Sequence, residues 1–380
     1  MYVTEVGSIV TIFVKYREKW GDLGDGWNGA QVQNAARTIP FWLVTIKIKQ
    51  ISRSVLLAMV GTWLLTGCAV KKLAVNSLAN ALTESGASVY AVDDDPELVG
   101  DALPFALKTM EALLQATPRH KKLLIATASG FVQYTHAYVL RPAQTLEATN
   151  LTEAREQRER AKRLFLRARN YGLRALELSS PGIAQALRSN PDAAVSKIKK
   201  KDVPALYWTG AAWGSAISVA KNDMALVSDV PIVRALLERA LALDEGWNQG
   251  AIHEFFIAFD AGRSEAEGGG LAKAEFHFKM AMKFNGGRSI GPLISMAESV
   301  CVKQQDRKRF KELLAQAVAF DVEQYPENRL ANILAQRKAK DLLANIDDLF
   351  FLSDDEPEEG QDDSNKATYD QKNHDKEDAS

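Results

Sequence analysis

A cysteine preceded by small residues indicates covalent lipid attachment. Leu65, Thr66 and Gly67 stand directly before Cys68. A lipoprotein signal peptidase needs small side chains just before its cleavage point, and the freed cysteine thiol then carries a diacylglycerol. The tetrapeptide predicts that Cys68 is the lipid-bearing first residue of the mature protein. The competing interpretation is a buried apolar helix that ends in a cysteine.

The segment ahead of the cysteine fits a signal peptide. Lys47, Lys49 and Arg53 supply positive charge, and the mostly apolar run over residues 55–65 follows. A membrane-spanning helix needs roughly 20 apolar residues, so this shorter run has the size of a signal-peptide core. Residues 1–46 show no clear period and are interpreted as sequence upstream of the true start. Residues 1–67 therefore form a leader, and the mature protein is tethered rather than spanning.

The residue after the lipidated cysteine bears on the choice of membrane. Ala69 follows Cys68, where an aspartate would retain an enterobacterial lipoprotein at the inner membrane. The sequence thus favours the periplasmic face of a bacterial membrane, with the outer membrane preferred. Several acyl chains hold a protein durably, since each buried methylene contributes about 0.8 kcal/mol.

Charge is distributed unevenly along the chain. The net charge is −1, yet residues 354–380 hold eleven Asp or Glu against three Lys. This tail has too few apolar residues to build a core, so residues 353–380 are predicted to be disordered. The remaining cysteine, Cys301, has no partner if Cys68 is lipidated.

No residue pattern predicts catalysis, a metal site or a cofactor, so the chain is interpreted as a non-enzyme. His136 and His253 lie in apolar helical segments, where a core histidine is the commoner interpretation. The glycine run 268–270 has neither a preceding strand nor a following Lys-Ser/Thr and is predicted to be a turn between helices. Asp93–Asp95 precede Pro96 and are predicted to cap a helix. The basic run 197–201 lacks interleaved aromatic residues, which argues against nucleic-acid binding.

An aromatic cluster is the best candidate for a binding surface. Tyr207, Trp208 and Trp213 share one helical segment, and Trp247 and Phe255 belong to the next. Trp208 and Trp213 are five residues apart and cannot both occupy one narrow helix face. The rings are either large residues of the helical core or the lining of an apolar pocket, channel or partner surface on the concave side.

These residues must be positioned by helices. From residue 73 to about 349, Ala and Leu recur three and four residues apart and strand-like alternation is absent, which predicts an all-α fold. Small residues recur in similar helices at Ala240, Ala281 and Ala317, a spacing of 41 and 36 residues. Spacing near 34 is typical of tetratricopeptide repeats, so residues 68–352 are predicted to form degenerate TPR-like repeats, an α-solenoid.

Each predicted repeat pairs two helices, and long helices connect or end the stack. The second helices cover residues 106–113, 236–244, 274–281 and 310–317, and their partners cover 123–139, 205–219, 250–259 and 292–302. Residues 151–178 are predicted to form a long amphipathic connecting helix. Residues 328–348 are predicted to form a final helix that caps the open end, because terminal repeats need a polar outer face.

With these features on one chain, the sequence resembles the T-component of TRAP transporters. Besides the lipobox, the likeness rests on these segments: Leu123-Leu124, Gly130-Phe131, Tyr134 to Tyr138, Arg167 to Tyr171, Asp202 to Gly214, Glu238 to Leu241, Leu330 to Asn332 and Asp347 to Phe350. The resemblance implies a non-catalytic accessory subunit without a cofactor. It further implies docking to a periplasmic TRAP substrate-binding protein, the P subunit, relay of a small hydrophobic or organic-acid ligand, and a homotrimer with a pore.

The resemblance and the aromatic cluster together give a hypothesis, in which the region of Trp208 and Trp213 lines the ligand passage. The competing hypothesis is a lipid-anchored TPR scaffold for cell-envelope protein assembly, which needs no passage.

Overall fold

The computed structural model describes residues 76–80 and 86–351. The predicted leader 1–67, including Leu65, Thr66, Gly67 and the lipidation site Cys68, lies outside the described residues, as does the tail 353–380. All regular elements of the described part are helices, with no strand among them. The predicted all-α class is therefore confirmed.

Sixteen α-helices are numbered here in chain order through residues 86–351. They are α1 (Gly86–Ala91), α2 (Pro96–Ala116), α3 (Lys121–Thr135), α4 (Arg141–Leu146), α5 (Leu151–Glu177), α6 (Ile183–Ser189), α7 (Pro191–Val195), α8 (Val203–Val219), α9 (Met224–Val227), α10 (Val230–Leu243), α11 (Trp247–Ala261), α12 (Leu271–Asn285), α13 (Gly291–Met296), α14 (Val302–Gln304), α15 (Arg307–Val318) and α16 (Arg329–Ala344). Two π-helical turns, His136–Leu140 and Ala297–Cys301, continue α3 and α13. Short 3-10 turns lie between or after other helices: Lys200–Asp202, Val322–Gln324, Pro326–Asn328 and Ile346–Asp348.

Capping side chains explain where the two longest helices begin. The Asp95 carboxylate accepts a hydrogen bond from the Leu98 amide at 2.9 Å, and Pro96 occupies the first turn of α2. This confirms the capping interpretation for Asp95, while Asp93 accepts a hydrogen bond from the Asp95 amide at 2.9 Å. At the start of α5, the Asn150 side chain accepts a hydrogen bond from the Glu153 amide at 3.2 Å. Each bond satisfies a backbone N–H that has no partner within its helix.

The predicted helix pairs are present as helical hairpins. Helix α2 packs on α3, α8 on α10, α11 on α12 and α13 on α15. The small residues Ala240, Ala281 and Ala317 are all buried between helices. The long helix predicted over residues 151–178 is also present, as α5. The structure thus confirms the helices and their pairing, whereas the TPR class of the repeats stays a prediction.

Helix α8 is buried mainly against four other helices. It packs against α3, α5, α10 and α11. Its sequence is apolar or small on every side, which is typical of a helix surrounded by protein. Glycines bring its neighbours close: a Cβ added to Gly172 of α5 would lie 2.3 Å from the Thr209 Oγ1, and a Cβ added to Gly210 would lie 2.7 Å from the Leu237 Cγ.

Helix α11 lies between two hydrophobic cores. Ile252 and Phe256 belong to the core built by the helices up to α10, while Ile257 and Ala261 belong to the core built with α12, α13, α15 and α16. One helix therefore contributes side chains to both halves of the described structure.

The last long helix returns to the first hairpin. Arg337 of α16 pairs with Glu97 of α2, and Asp341 accepts a hydrogen bond from Arg141 at 2.8 Å. The Arg329 guanidinium also donates to the backbone carbonyl of Val92 at 3.0 Å. The polar face predicted for a terminal cap is present, but part of it forms ion pairs with α2 and α4. No helix among the described residues has the length and apolar character needed to cross a bilayer.

Candidate functional site

Three of the predicted site residues meet around Tyr207. The Tyr207 ring centroid lies 4.9 Å from that of Trp208 in an edge-to-face arrangement and 4.7 Å from that of Trp247. All three side chains are half-buried, so each is partly accessible to solvent. These distances are the ones at which aromatic rings attract one another. Tyr207, Trp208 and Trp247 are called the aromatic wall below.

A left-handed turn follows Trp247. Asn248, Gln249 and Gly250 have φ angles of 47°, 58° and 83° at the start of α11. Left-handed backbone costs roughly 1–2 kcal/mol for a residue with a Cβ, and it occurs preferentially at functional sites. The side chain of Asn328 holds the turn by donating to the Gln249 Oε1 at 2.9 Å. The turn therefore orders the backbone that carries Trp247.

Gly250 is required in this turn for two reasons. Its positive φ is a conformation that glycine adopts without strain. A Cβ at this position would also lie 2.9 Å from the Cβ of Phe284 on α12.

Glu254 adds an ionisable group near the wall. It lies on α11 and is half-buried. Burial raises the pKa of Glu254 to about 7, and no hydrogen bond or cation among the described residues offsets that rise. Burial also raises the pKa of Tyr207, and the charge of Glu254 raises it further. The carboxyl thus titrates near neutral pH beside the central ring of the wall.

A glycine leaves space for this carboxyl. A Cβ added to Gly291, at the start of α13, would lie 2.2 Å from the Glu254 Oε1. Sequence reasoning missed Glu254, although an acid placed between His253 and Phe255 in the apolar run 251–259 is a signal that could have found it.

Phe255 joins α11 to α8. Its half-buried ring packs over Gly214, where an added Cβ would lie 2.6 Å from the Phe255 Cζ. The ring centroid lies 5.4 Å from that of Phe259. Phe255 therefore packs between the helices that carry the aromatic wall.

Trp213 lies apart from the other aromatic candidates. It is 2% exposed, and its Nε1 donates to the Asp229 carboxylate at 3.1 Å. The guanidinium groups of Arg169 and Arg188 lie 4.8 and 5.6 Å from its ring. The five-residue spacing therefore does send Trp208 and Trp213 to different neighbours. Because Trp213 is core, we leave it out of the lining that we propose for a ligand.

A second polar group occurs where α3 passes into its π-helical turn. The His136 Nε2 lies 2.9 Å from the Ser215 Oγ of α8, and the imidazole packs 4.8 Å from the Phe165 ring. Desolvation by the surrounding side chains and, to a smaller extent, the positive charge of Lys338 lower the pKa of His136 to about 4. Lys338 itself donates to Glu298 at 2.6 Å. π-Helical turns occur often at functional sites.

His253 pairs with a second histidine inside the protein. The two Nδ1 atoms of His253 and His277 lie 2.8 Å apart, so one ring donates a hydrogen bond to the other. Asp260 lies 3.6 Å from the His277 Nε2, and Glu245 lies 3.5 Å from the His253 Nε2. Burial lowers the pKa of both imidazoles, that of His277 to about 4. Both rings are therefore neutral at pH 7, and His253 is a buried core histidine as expected.

The described residues around the aromatic wall offer groups that suit binding of a small molecule. Within residues 76–80 and 86–351, no set of three His, Cys, Asp or Glu side chains is placed to hold a metal ion. Cys301 is buried, and burial raises its thiol pKa to about 11, which keeps it protonated and unreactive. The partly accessible aromatic wall and the desolvated carboxyl of Glu254 are groups that recognise a small molecule.

The core position of Trp213 predicts a large stability loss on truncation. Trp213→Ala should lower the free energy of unfolding by about 3–5 kcal/mol, because it opens a cavity and leaves Asp229 without one donor. Urea unfolding followed by circular dichroism measures this change. Trp208→Ala is the matched control and should cost less, since Trp208 is only half-buried. Equal losses for the two variants would contradict the assignment of Trp213 to the core.

The raised pKa of Glu254 predicts a pH-dependent stability. At a pH below 4.5, the pKa of the carboxyl in the unfolded chain, Glu254 is protonated in both the folded and the unfolded state, and its burial does not lower the free energy of unfolding. As the pH rises above 4.5, burial lowers the free energy of unfolding increasingly, until the pH passes about 7. Because one pKa unit corresponds to about 1.4 kcal/mol, Glu254→Gln should stabilise the protein by up to about 3 kcal/mol at pH 8.

The gain from Glu254→Gln should vanish near pH 4.5, and urea unfolding at both pH values tests it. The exposed Glu312 is the control, since Glu312→Gln should change stability little at either pH. A Glu254→Gln gain that is the same at both pH values would show that burial does not raise this pKa.

Comparison with known proteins identifies the family. The family model described as TRAP transporter T-component matches residues 92–350. An uncharacterized protein of Treponema pallidum (strain Nichols) is 32% identical over 305 residues, which cover 76% of this chain and 94% of that protein. The matched region holds α2 to α16 and with them the aromatic wall, Glu254 and the paired histidines. The chain therefore belongs to the TRAP transporter T-component family.

Proposed function

We propose that this protein is a lipid-anchored, non-catalytic accessory subunit of a TRAP-type transport system. It docks a periplasmic substrate-binding protein, the P subunit, and relays a small hydrophobic or organic-acid ligand. Family membership supports the association with a TRAP transporter. The observation that carries the ligand role is the half-buried aromatic wall of Tyr207, Trp208 and Trp247.

The wall and Glu254 suit a ligand with an apolar body and one acidic group. Aromatic rings bury apolar surface efficiently, and Phe255 extends the apolar area along α11. An ionised Glu254 repels an anionic ligand, whereas the protonated carboxyl donates a hydrogen bond to the ligand's carboxylate. Because the pKa of Glu254 is about 7, a modest fall in pH converts the site from the repelling to the donating form.

The location follows from the lipobox. Cys68 carries the lipid, Leu65, Thr66 and Gly67 form the processing site, and the helical domain faces the periplasm, with the outer membrane favoured. Lipid attachment alone holds the described helices at the membrane in this proposal. A homotrimer with a pore, as the family resemblance implies, is the proposed assembly.

Octanoate is a suitable probe of the ligand site, since it combines an apolar chain with a carboxylate. Trp208→Ala should weaken octanoate binding about tenfold, equivalent to about 1.4 kcal/mol, as measured by isothermal titration calorimetry. The matched control is Phe105→Ala, which removes a ring on α2 that is 78% exposed and should leave binding unchanged. Equal affinities of wild type and Trp208→Ala would contradict the role of the wall.

The same titration distinguishes an acid ligand from a neutral one. Wild-type affinity for octanoate should fall between about pH 6 and about pH 8 as Glu254 ionises, and Glu254→Gln should abolish that fall. Octanol, which has no charge, should bind equally at both pH values. Binding of octanoate that strengthens with pH would contradict the proposed donor role of Glu254.

Docking is tested with the acylated, full-length protein. A pull-down from envelope extracts should recover a TRAP substrate-binding protein, and Cys68→Ser should release the protein from the membrane fraction. Recovery of envelope-assembly machinery alone would favour the alternative function, a lipid-anchored TPR scaffold. Membrane retention of Cys68→Ser would contradict the lipid anchor.

A further inference from the structure

Helix α5 carries a concentrated positive charge. Residues 160–176 include six Lys or Arg and no Asp or Glu. Two of the six are engaged inside the fold: Lys162 pairs with Asp223 at 2.9 Å, and Arg169 lies over the Trp213 ring. The other four are exposed on the surface: Arg160, Arg163, Arg167 and Arg174.

Three of these arginines line a groove between α5 and α2. Two adjoining depressions of about 410 and 500 Å³ share Arg167, Tyr171 and Arg174. Arg163 extends the first depression along α5, and Lys108 of α2 lines the second. These five residues define what we call the arginine groove.

Positive charge in the arginine groove exceeds the available negative charge. Glu111 is the one carboxylate among the described residues that line the two depressions. It pairs with Lys108 at 2.5 Å and accepts a hydrogen bond from the Tyr171 hydroxyl at 2.8 Å, while Arg167 lies farther away at 3.7 Å. Four cations thus face one carboxylate.

Two arginines of the groove have little to neutralise them. Arg163 is exposed and makes no ion pair with any residue of the described part. Arg174 only donates to the Pro118 carbonyl at 3.4 Å and lies 5.2 Å from the Tyr171 ring. The planar guanidinium group of an arginine can bind a carboxylate through two parallel hydrogen bonds.

The chain itself contains a segment of opposite charge. Residues 354–363 hold seven Asp or Glu and no Lys or Arg. They follow the last described residue, Phe351, and lie beyond the family match, which ends at residue 350. Opposite charges on a groove and on an extended segment attract at the ionic strength of the cell, although salt weakens the attraction.

The acidic segment is held close to the end of the described fold. Residue 363 is twelve residues after Phe351, so an extended chain carries the end of the segment up to roughly 40 Å from Phe351. The ion pair of Arg337 with Glu97 joins the C-terminal helix α16 to α2, the helix that carries Lys108.

We propose that the acidic segment 354–363 docks in the arginine groove of its own chain. Carboxylates of the segment pair with Arg163, Arg167 and Arg174, and the segment lies over the Tyr171 ring. A bound segment competes with other anions for these arginines. The contact is independent of the aromatic wall, so its presence or absence leaves the proposed ligand site untouched.

Zero-length carbodiimide cross-linking of the full-length protein tests the contact, because it joins carboxylates to lysines at contact distance. Mass spectrometry should find Lys108 linked to residues 354–363 at roughly 20 mM salt, and the link should be lost at roughly 500 mM, where the Debye length shortens to a few ångströms. The double variant Arg163→Glu/Arg167→Glu should lower the yield about tenfold, since it replaces attraction by repulsion.

A matched control makes the same charge change elsewhere. Arg155 on α5 and Lys221 after α8 are exposed and lie outside the groove. Arg155→Glu/Lys221→Glu should keep the wild-type yield. Equal yields in the groove variant and the control, or no link to Lys108 in the wild type, would overturn the proposal.

A second measurement does not depend on Lys108. Replacing the seven acids of residues 354–363 by Asn or Gln should let the full-length protein bind a fluorescent ten-residue polyglutamate peptide about tenfold more tightly than wild type does. Equal affinities would overturn the proposal. The proposal would also be overturned if anionic phosphatidylglycerol vesicles bound wild type and the variant without the seven acids equally, and bound Arg163→Glu/Arg167→Glu no longer. The groove would then be open to a membrane surface in the wild type.

Discussion

The close packing of α8 is the constraint on which the rest of the described structure depends. Helices α3, α5, α10 and α11 all contact it. Gly172 against Thr209, Gly210 against Leu237 and Gly214 against Phe255 leave no room for a methyl group without a shift of a neighbour. Interiors packed this tightly transmit the position of one helix to the next. The surroundings of each side chain on α8 are therefore set by the neighbouring helices as much as by the sequence of α8 itself.

This placement separates two tryptophans that share a helix. Trp213 faces the buried Asp229 and two arginines and stabilises the core. Tyr207 contacts Trp247 of α11, Trp208 packs on Tyr207, and both rings remain partly accessible. A helix surrounded by protein can thus contribute large rings to the core and to a partly open surface within two turns.

Features that cost free energy gather near the aromatic wall. The left-handed turn after Trp247 is strained, and Glu254 is desolvated without a compensating hydrogen bond from the described residues. Proteins tolerate such costs where the surrounding structure holds the residues in place and where function needs them. The partly open rings and the carboxyl are therefore the place where we propose that a ligand binds. The arginine groove lies on a different surface and serves the chain's own acidic segment in our proposal.

The sequence alone determined the helical class, the helices and their pairing. Their period of apolar residues and their capping groups act within a few residues, so α2, α5 and the hairpins follow from local chemistry. The lipobox at Cys68 is likewise a local signal, and it stays a prediction because it lies outside the described residues.

Only the tertiary structure decided which aromatic residues meet, that Glu254 is desolvated beside them, and that α16 pairs with α2 and α4. The physical reason is that burial and contact depend on groups far apart in the chain. Arg337 and Glu97 are 240 residues apart, and the pKa of Glu254 is set by the helices that exclude water from it.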